Sequence, residues 1–207
     1  MKFWTDSFTS IIHGDNAFCI PHSQGHVRFG GNHNPHFAWS DLPPGTKSLV
    51  LLCHDPDVPS RGDDVNQEGR TVPASLPRVD FFHWVLVDLP PVPSHIEAGE
   101  FSHVVLPRGK YGPCTARGAR HGLNVYTGWF ANDKDMAGDY YGYDGPCPPW
   151  NDELPHRYVF TLYALDIPRC PVEGKFTGQQ VREAIKGHVL AEAGITGVYT
   201  LNPAVKL

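Results

Sequence analysis

The amino-acid sequence predicts a mainly β protein with few helices, and three observations support this prediction. Gly and Pro are abundant among the 207 residues, at 21 and 20, which favours many turns over long helices. Apolar runs of strand length dominate the chain before residue 170. Only one segment, near residues 177–193, has helical periodicity. The length suits one domain and no linker separates two cores, so residues 1–207 are interpreted as a single domain.

The first strong strand is SLVLLCH, residues 48–54, an uninterrupted apolar run that predicts burial on both faces. Asp55 and Asp57 follow it, with prolines at 56 and 59. Surface turns made of Asp and Pro are common, and taken alone the stretch favours that interpretation. The alternative is a rigid lip that holds two carboxylates at the mouth of a pocket. Residues 60–78, polar and rich in Pro and Gly, predict a long surface loop.

The second strand is predicted over residues 79–90, VDFFHWVLVDLP. Strict alternation would place Phe81, His83, Val85 and Val87 on one face, so a histidine would interrupt an apolar surface. A lone histidine there is more often a core residue with satisfied hydrogen bonds than a ligand-binding one.

The third strand, residues 156–166, begins with His156 and has Tyr158 on the same face. It follows an irregular segment that contains DGPCPP, residues 144–149, a loop able to offer backbone N–H groups to an anion. If the three strands are neighbours, Asp55, His83 and His156 can converge at one end of the sheet. The sequence therefore favours a small polar pocket with apolar walls, the usual form of a small-molecule site.

The one predicted helix opens at Thr177, which with Gln180 forms a capping-box pattern. Apolar residues recur on one face of residues 177–193, and Gly194 suits the position just after a helix. Gly187 inside the segment weakens the helix by about 1 kcal/mol relative to Ala.

Composition limits the classes of partner and the cellular compartment. The net charge is −5 and no basic run occurs, which argues against nucleic-acid binding. No apolar run is long enough to span a bilayer, and the first residues lack the apolar core of a signal peptide. The cysteines are odd in number and form no CxxC pair, so we expect five free thiols and a cytoplasmic protein: Cys19, Cys53, Cys114, Cys147 and Cys170. Four N-terminal histidines match no zinc pattern, and no metal is predicted: His22, His26, His33 and His36.

Four motifs in order, DPDVPS, FFHWVLVDLP, YDGPCPP and HRYVFTLYALD, resemble the phosphatidylethanolamine-binding protein family, also called the Raf kinase inhibitor-like family. GPCPP and the lead-in GNHNPHFAWSDLPPGTKSLVLL are similar to its bacterial branch. The resemblance runs from about residue 29 to residue 166. It implies two antiparallel sheets in a sandwich-like arrangement, with few helices and a small pocket for phosphate-like groups.

The resemblance also implies the residues that form the pocket. Asp55 and Asp57 would be its acids, His83 and His156 its histidines, and the remaining wall residues would be Pro59, Gly145, Cys147, Pro148 and Tyr158. No cofactor is implied. Bacterial members are often dimers, and aromatic residues around YTGWF, residues 126–130, and Tyr140, Tyr141 and Tyr143 could form such an interface.

Two departures from the family pattern stand out. The loop over residues 60–78 is longer than usual, and a cysteine stands in the GPCPP loop where animal members have a glycine. The leading hypothesis is a non-catalytic protein that binds a small anionic ligand such as a phosphate or a phospholipid headgroup. The alternatives are a hydrolase that uses the Asp/His/His set, with Cys147 as a nucleophile, and a module that binds or inhibits another protein through the 60–78 loop.

Overall fold

The computed structural model describes residues 1–207 as a mainly β chain with two short α-helices, which confirms the predicted fold class. Two 3₁₀ turns cover Gly14–Asn16 and Ala116–Gly118. Both α-helices are too short to span a lipid bilayer. The strands are β1 (Lys2–Trp4), β2 (Cys19–His22), β3 (His26–Phe29), β4 (Phe37–Ser40), β5 (Ser48–Pro59), β6 (Arg78–Leu89), β7 (His95–Ile96), β8 (Arg120–His121), β9 (His156–Leu165) and β10 (Val189–Tyr199), and the helices are α1 (Tyr126–Trp129) and α2 (Gly178–Ala184).

A five-stranded antiparallel sheet in the order β10-β9-β5-β6-β8 forms the centre of the fold. The three strands predicted from the sequence are its three middle strands. The chain from Leu49 to Cys53 in β5 is fully buried, because its uninterrupted apolar run packs on both faces of the sheet. β5 continues beyond the predicted end at His54 as far as Pro59, since its pairing with β6 resumes at Val58 after an irregularity in register.

Each face of the central sheet has its own hydrophobic core. The larger core joins the sheet to a three-stranded antiparallel sheet in the order β1-β4-β7. Phe37 of β4 contacts Phe160 of β9 there, with ring centroids 4.9 Å apart. On the opposite face, Leu52 and Val85 of the sheet pack with Val181 of α2 in a smaller core. β2 and β3 form a separate hairpin.

The predicted helix over residues 177–193 is wrong in its second half. Thr177 and Gln180 do form the capping box that opens α2, but the helix ends at Ala184. Gly187 has a positive φ of 81°, a turn conformation that leads the chain away from the helix. The residues after it pair with β9 along its whole length, and Gly194 lies opposite Thr161 as a strand residue. Pairing with an available sheet edge has overridden local helical preference.

The prediction of five free thiols is also wrong. Cys19 of β2 and Cys147 of the GPCPP loop form a disulfide, whereas Cys53, Cys114 and Cys170 are free. The two bonded residues are 128 positions apart in the sequence, and the fold brings their Cα atoms to 4.8 Å. Local spacing could not reveal this pair, because a disulfide requires proximity in space alone.

Candidate functional site

A cavity of about 240 Å³ opens where β5, β6 and β9 meet the 60–66 loop, helix α1 and the GPCPP loop. Seven residues from the sequence-predicted site line it: Asp55, Pro59, His83, Cys147, Pro148, His156 and Tyr158. The remaining two, Asp57 and Gly145, do not belong to its lining. Of the two aspartates that follow the first predicted strand, only Asp55 lines the cavity.

Asp57 is held by the neighbouring strand instead of the cavity. Both of its carboxylate oxygens accept hydrogen bonds from the Arg157 guanidinium, at 2.9 and 2.8 Å, and one also accepts from the Arg157 backbone N–H at 2.9 Å. Burial raises the pKa of Asp57, but these hydrogen bonds outweigh burial and lower it from 3.8. Asp57 therefore ties β5 to β9 behind the site.

Gly145 supports the cavity wall from outside. Its N–H donates to Asn32 Oδ1 at 2.8 Å and its carbonyl accepts from the Tyr126 hydroxyl at 2.8 Å. A Cβ atom at this position would lie 2.1 Å from the Asn16 carbonyl oxygen, so only glycine fits between the two segments.

A β-bulge places His83 in the cavity. Cys53 pairs with Trp84 and His54 pairs with Phe82, so His83 is an extra residue in β6. The predicted face of Phe81, His83, Val85 and Val87 is therefore wrong: the side-chain alternation breaks at the bulge. Phe81 and His83 line the cavity, whereas Val85 and Val87 belong to the core on the opposite face.

The ring of His83 is fixed by one hydrogen bond, between its Nδ1 and the Asp144 carbonyl oxygen at 2.7 Å. Burial lowers the pKa of His83 to about 4, against the opposing effects of Asp55 and of this hydrogen bond. The Asp144 loop is itself anchored. The Asp144 carboxylate accepts hydrogen bonds from the side chains of Asn32 and Asn124, each at 2.8 Å, and lies 3.3 Å from Lys110 Nζ.

A chain of alternating charges, called here the buried ion-pair chain, runs behind the cavity through Asp55, His156, Asp152 and Arg78. His156 Nδ1 lies 2.6 Å from Asp55 Oδ2, and its Nε2 lies 3.0 Å from Asp152 Oδ2. Arg78 donates to both oxygens of Asp152, at 2.5 and 3.0 Å. Burial alone would lower the pKa of His156, but hydrogen bonds to Asp152 and Asp55 raise it to about 9.

Tyr158 supplies an unpartnered polar atom at the same end of the cavity. The side chain is buried, with 1% of its residue surface exposed, and its hydroxyl lies beside the Asp55 carboxylate without making a hydrogen bond of normal geometry in the chain. Burial, followed by the charge of Asp55, raises the pKa of this hydroxyl well above 10. Buried polar groups are nearly always paired, so an unpaired hydroxyl facing a cavity marks a position for a ligand atom.

The mouth of the cavity is apolar and aromatic. Phe29 and Trp129 are 56% and 54% exposed, and both line the opening together with Phe130. Val58 and Val65 complete this side. The cavity thus has a polar inner end and an apolar entrance, an arrangement suited to a ligand with a polar head and an apolar body.

Comparison with known proteins agrees with the motifs and the fold. The family model described as phosphatidylethanolamine-binding protein matches residues 13–200.

The chain belongs to the phosphatidylethanolamine-binding protein family.

Relatives in this family include the UPF0098 protein YbhB of Escherichia coli (strain K12), which is 33% identical over 172 residues, 83% of this chain and 84% of YbhB. A UPF0098 protein of Chlamydia trachomatis serovar D is 33% identical over 166 residues, 80% of this chain and 81% of the relative.

Solved structures of the family include the homologue CT736 from C. trachomatis, with a TM-score of 0.61, 28% identity and 95% coverage of each chain. Escherichia coli YbcL shares the fold at a TM-score of 0.66 and 23% identity, covering 96% of this chain and 97% of YbcL. YbcL is described as a member of the mammalian family. Family membership supports a binding role for this chain in general terms.

The sequence did not reveal several residues that build this candidate site. Asp152 and Arg78 complete the buried ion-pair chain, although 74 residues separate them. The spacing of Asp152 and His156, four residues apart across a turn, was the only local signal. Asn151 also lies outside the predicted set. Its side-chain amide donates to the carbonyls of Asp64 and Arg70, at 2.8 and 3.0 Å, and so ties the 60–78 loop to the cavity wall.

The four N-terminal histidines do not converge. His26 stacks on Trp150, with ring centroids 3.7 Å apart, and its Nε2 lies 2.6 Å from Glu68 Oε1. His33 and His36 lie elsewhere, with His36 Nδ1 accepting from the Asp6 backbone N–H at 3.4 Å. No group of three or more His, Cys, Asp or Glu side chains is placed to hold a metal ion.

Proposed function

We propose that this protein is a non-catalytic binding protein for a small ligand with a phosphate-like group, such as a phosphate ester or a phospholipid headgroup. The phosphate-like group occupies the inner end of the cavity, beside Asp55, His83, His156 and Tyr158. Pro59, Cys147 and Pro148 form the wall, while Asp57 and Gly145 act from behind it. The observation that carries the proposal is the buried, unpartnered hydroxyl of Tyr158 at the end of a 240 Å³ cavity.

An anion beside Asp55 could in principle be held by a protonated histidine that donates both to the carboxylate and to the anion. The geometry favours a different arrangement. Both nitrogens of His156 already face carboxylates, so this ring has no N–H left for a ligand. His83 has a free nitrogen, but burial keeps its ring neutral near pH 7. Tyr158 is therefore the side chain that donates to the ligand.

The hydrolase alternative loses its only evident nucleophile. Cys147 is bonded to Cys19, and a disulfide sulfur carries no thiolate for attack on an ester. His156 is fully occupied by Asp55 and Asp152, which leaves it unsuited to shuttling protons. A turnover screen with phosphate and carboxylate esters tests this alternative directly, and sustained product release would establish it.

A role in binding or inhibiting another protein through the 60–78 loop is the second alternative. The same loop lines the cavity at Ser60, Arg61, Gly62, Val65 and Asn66, so its position serves the ligand site as well. A pull-down with the intact chain and with a chain whose loop is shortened distinguishes the two roles. Loss of a captured protein together with unchanged ligand affinity would favour the partner-binding role.

Calorimetric titration with phenyl phosphate at pH 5.5 tests the proposed function. We expect Tyr158→Phe to weaken binding by about tenfold or more, since a hydrogen bond to a charged group contributes about 1.5–3 kcal/mol. Tyr163→Phe is the matched control, because Tyr163 belongs to the same strand and packs against the opposite core. Absence of heat with phenyl phosphate, phosphoethanolamine and inorganic phosphate alike would contradict the proposal.

We keep the predicted homodimer as part of the proposal. The burial of several aromatic residues weakens the argument from the sequence that they form its interface. Tyr140, Tyr141 and Tyr143 are buried within the protomer, so they are not free to form an interface. Trp129 is the exposed aromatic residue of that region. Light scattering at micromolar concentration tests the prediction, and a mass close to 22.9 kDa would contradict it.

The predicted cytoplasmic location is likewise retained as part of the proposal, without the support of free thiols. Stable disulfides are rare in reducing compartments, so the Cys19–Cys147 bond calls for a direct test. Rapid thiol trapping in intact cells that express the protein, combined with fractionation, provides it. Recovery of the oxidised protein outside the cytoplasm would contradict the location.

A further inference from the structure

Building on the function proposed above, we propose that the cavity selects the protonated form of its oxyacid ligand. The ligand would carry an O–H group that donates to His83 Nε2, and a second ligand oxygen would accept a hydrogen bond from the Tyr158 hydroxyl. The ligand class is then a phosphate monoester in its singly charged form, or a similar partly protonated acid, with an apolar body at the mouth. Within the function proposed above, this selects phosphate monoesters, including a free phosphorylated headgroup, and excludes intact phospholipids, which are diesters without an O–H group on phosphorus.

The tautomer of His83 determines which kind of group can bind to its ring. Its Nδ1 lies 2.7 Å from a backbone carbonyl oxygen, that of Asp144, which can only accept a hydrogen bond. Nδ1 must therefore carry the proton. In a neutral ring Nε2 then has a lone pair and acts as an acceptor. Nε2 makes no hydrogen bond of normal geometry within the chain, although the Gly145 backbone lies close to the ring, and the side chain lines the cavity. A ligand that satisfies this atom has to bring a donor.

The charges around the inner end of the cavity disfavour a doubly charged ligand. Asp55 is the buried carboxylate of the lining, and the cation beside it, His156, is shared between two carboxylates. The other cations close to the site are also paired: Arg78 with Asp152, Arg157 with Asp57 and Lys110 with Asp144. A doubly charged phosphate would be buried beside a carboxylate without a free cation, which is costly. A proton on the ligand removes one of those charges.

The surroundings of His83 leave its ring neutral across the useful pH range. It is faced by Asp55 from β5, by His156 and Tyr158 from β9, and by Tyr126 from α1. Burial exceeds the influence of these groups and holds the pKa of His83 at about 4. Between pH 5 and pH 8 His83 therefore stays neutral and His156, with a pKa of about 9, stays largely protonated, so the ionisation of the ligand dominates the pH dependence.

Arg61 is the cation that could oppose this inference, since it also lines the cavity. Its side chain is 71% exposed and lies in the 60–78 loop, 3.9 Å from Asp63. An exposed cation at the rim is screened by water and salt. Arg61→Gln is accordingly a useful variant: we expect it to leave the pH dependence of binding unchanged.

The experiment compares a monoester with its diester. Phenyl phosphate has a second ionisation near pH 6, so at pH 8 only about one molecule in 100 keeps the O–H group. We expect its affinity to fall by about 100-fold between pH 5 and pH 8 in calorimetric titrations. Methyl phenyl phosphate carries one negative charge and no O–H group at either pH, and we expect it to bind at neither. Phenylphosphonate, which ionises at higher pH, should shift the midpoint of the affinity loss upward.

The outcomes separate this inference from the function on which it rests. Equal affinity for monoester and diester, or equal affinity at pH 5 and pH 8, would overturn the inference and leave the binding function in place. If the affinity loss had the same midpoint pH for phenyl phosphate and for phenylphosphonate, the titrating group would belong to the protein. That result would overturn the inference as well. If Arg61→Gln lost the pH dependence of binding, Arg61 at the rim would select the charge state of the ligand. That result would overturn the role given to His83. No binding by any of the probes at any pH would overturn the function itself.

Discussion

At the scale of single residues, the histidines of the site have opposite effects on stability. Hydrogen bonds that His156 donates to Asp152 and Asp55 overcome burial and raise the pKa of His156 from 6.5 to about 9. Its stabilising effect is complete below pH 6.5 and is lost as the pH rises to about 9. Burial lowers the pKa of His83 to about 4, and it lowers the pKa of His121, a buried residue of β8 outside the site, to about 3. Their contribution is complete above pH 6.5 and is lost as the pH falls.

These shifts predict a stability maximum near pH 6.5. Each titrating group changes the free energy of unfolding by at most about 1.4 kcal/mol per pH unit, so the decline should be visible on both sides. Urea unfolding at pH 5, 6.5 and 9 measures it, and NMR titration of the imidazole signals assigns it to each histidine. A stability that keeps rising from pH 6.5 to pH 9 would show that His156 is not held between two carboxylates.

Only some residues of the candidate site could be predicted from the sequence alone. Asp55, His83 and His156 were predictable because each stands at a defined point of a recognisable apolar strand. The bulge that turns His83 into the cavity was not predictable, since it depends on how β6 pairs with β5. Asp152 and Arg78 were missed for a similar reason: their ion pair forms only after the fold brings distant segments together.

At the scale of elements, the disulfide connects strand β2 to the GPCPP loop of the cavity. Closing so long a segment of chain should stabilise the protein by about 2–4 kcal/mol, chiefly by restricting the unfolded state. We expect Cys19→Ser/Cys147→Ser to lower the free energy of unfolding by this amount in urea. Cys114→Ser is the control, since this exposed free thiol should change stability by no more than about 0.5 kcal/mol.

Thiol titration of the denatured, unreduced protein gives an independent measure of the same bond. Three free thiols are expected, from Cys53, Cys114 and Cys170, and reduction should raise the number to all five cysteines. Five thiols before reduction would restore the prediction made from the sequence and contradict the disulfide.

The C-terminal segment shows that helical periodicity in the sequence does not always predict a helix. The capping box at Thr177 was recognisable because it is a local pattern, and the structure contains it. The change from helix to strand after Ala184 could not be recognised in the sequence. Residues 189–199 form a strand only because β9 offers an unpaired edge. The positive φ of Gly187 marks the change, and a glycine within a predicted helix was its one visible sign.

At the scale of the whole molecule, the fold is a central sheet covered on both faces, and the cavity opens on one of them. The uninterrupted apolar run of β5 made this arrangement predictable, because a strand with one exposed face would alternate apolar and polar residues. The two cores differ in composition and in role. The larger one joins the cavity through Phe81 and Cys147, which pack against it, whereas the smaller one lies beneath α2.

Leu51 and Leu52 test this arrangement, since they are consecutive residues of β5 that belong to opposite cores. Both are buried, so Leu51→Ala and Leu52→Ala should each lower the free energy of unfolding by about 2–5 kcal/mol. Val189→Ala, at a partly exposed position on the edge strand, should cost much less. Urea unfolding of the three variants provides the comparison. If either leucine variant were as stable as Val189→Ala, the face it occupies would not be a packed core, and the central sheet would be covered on one side only.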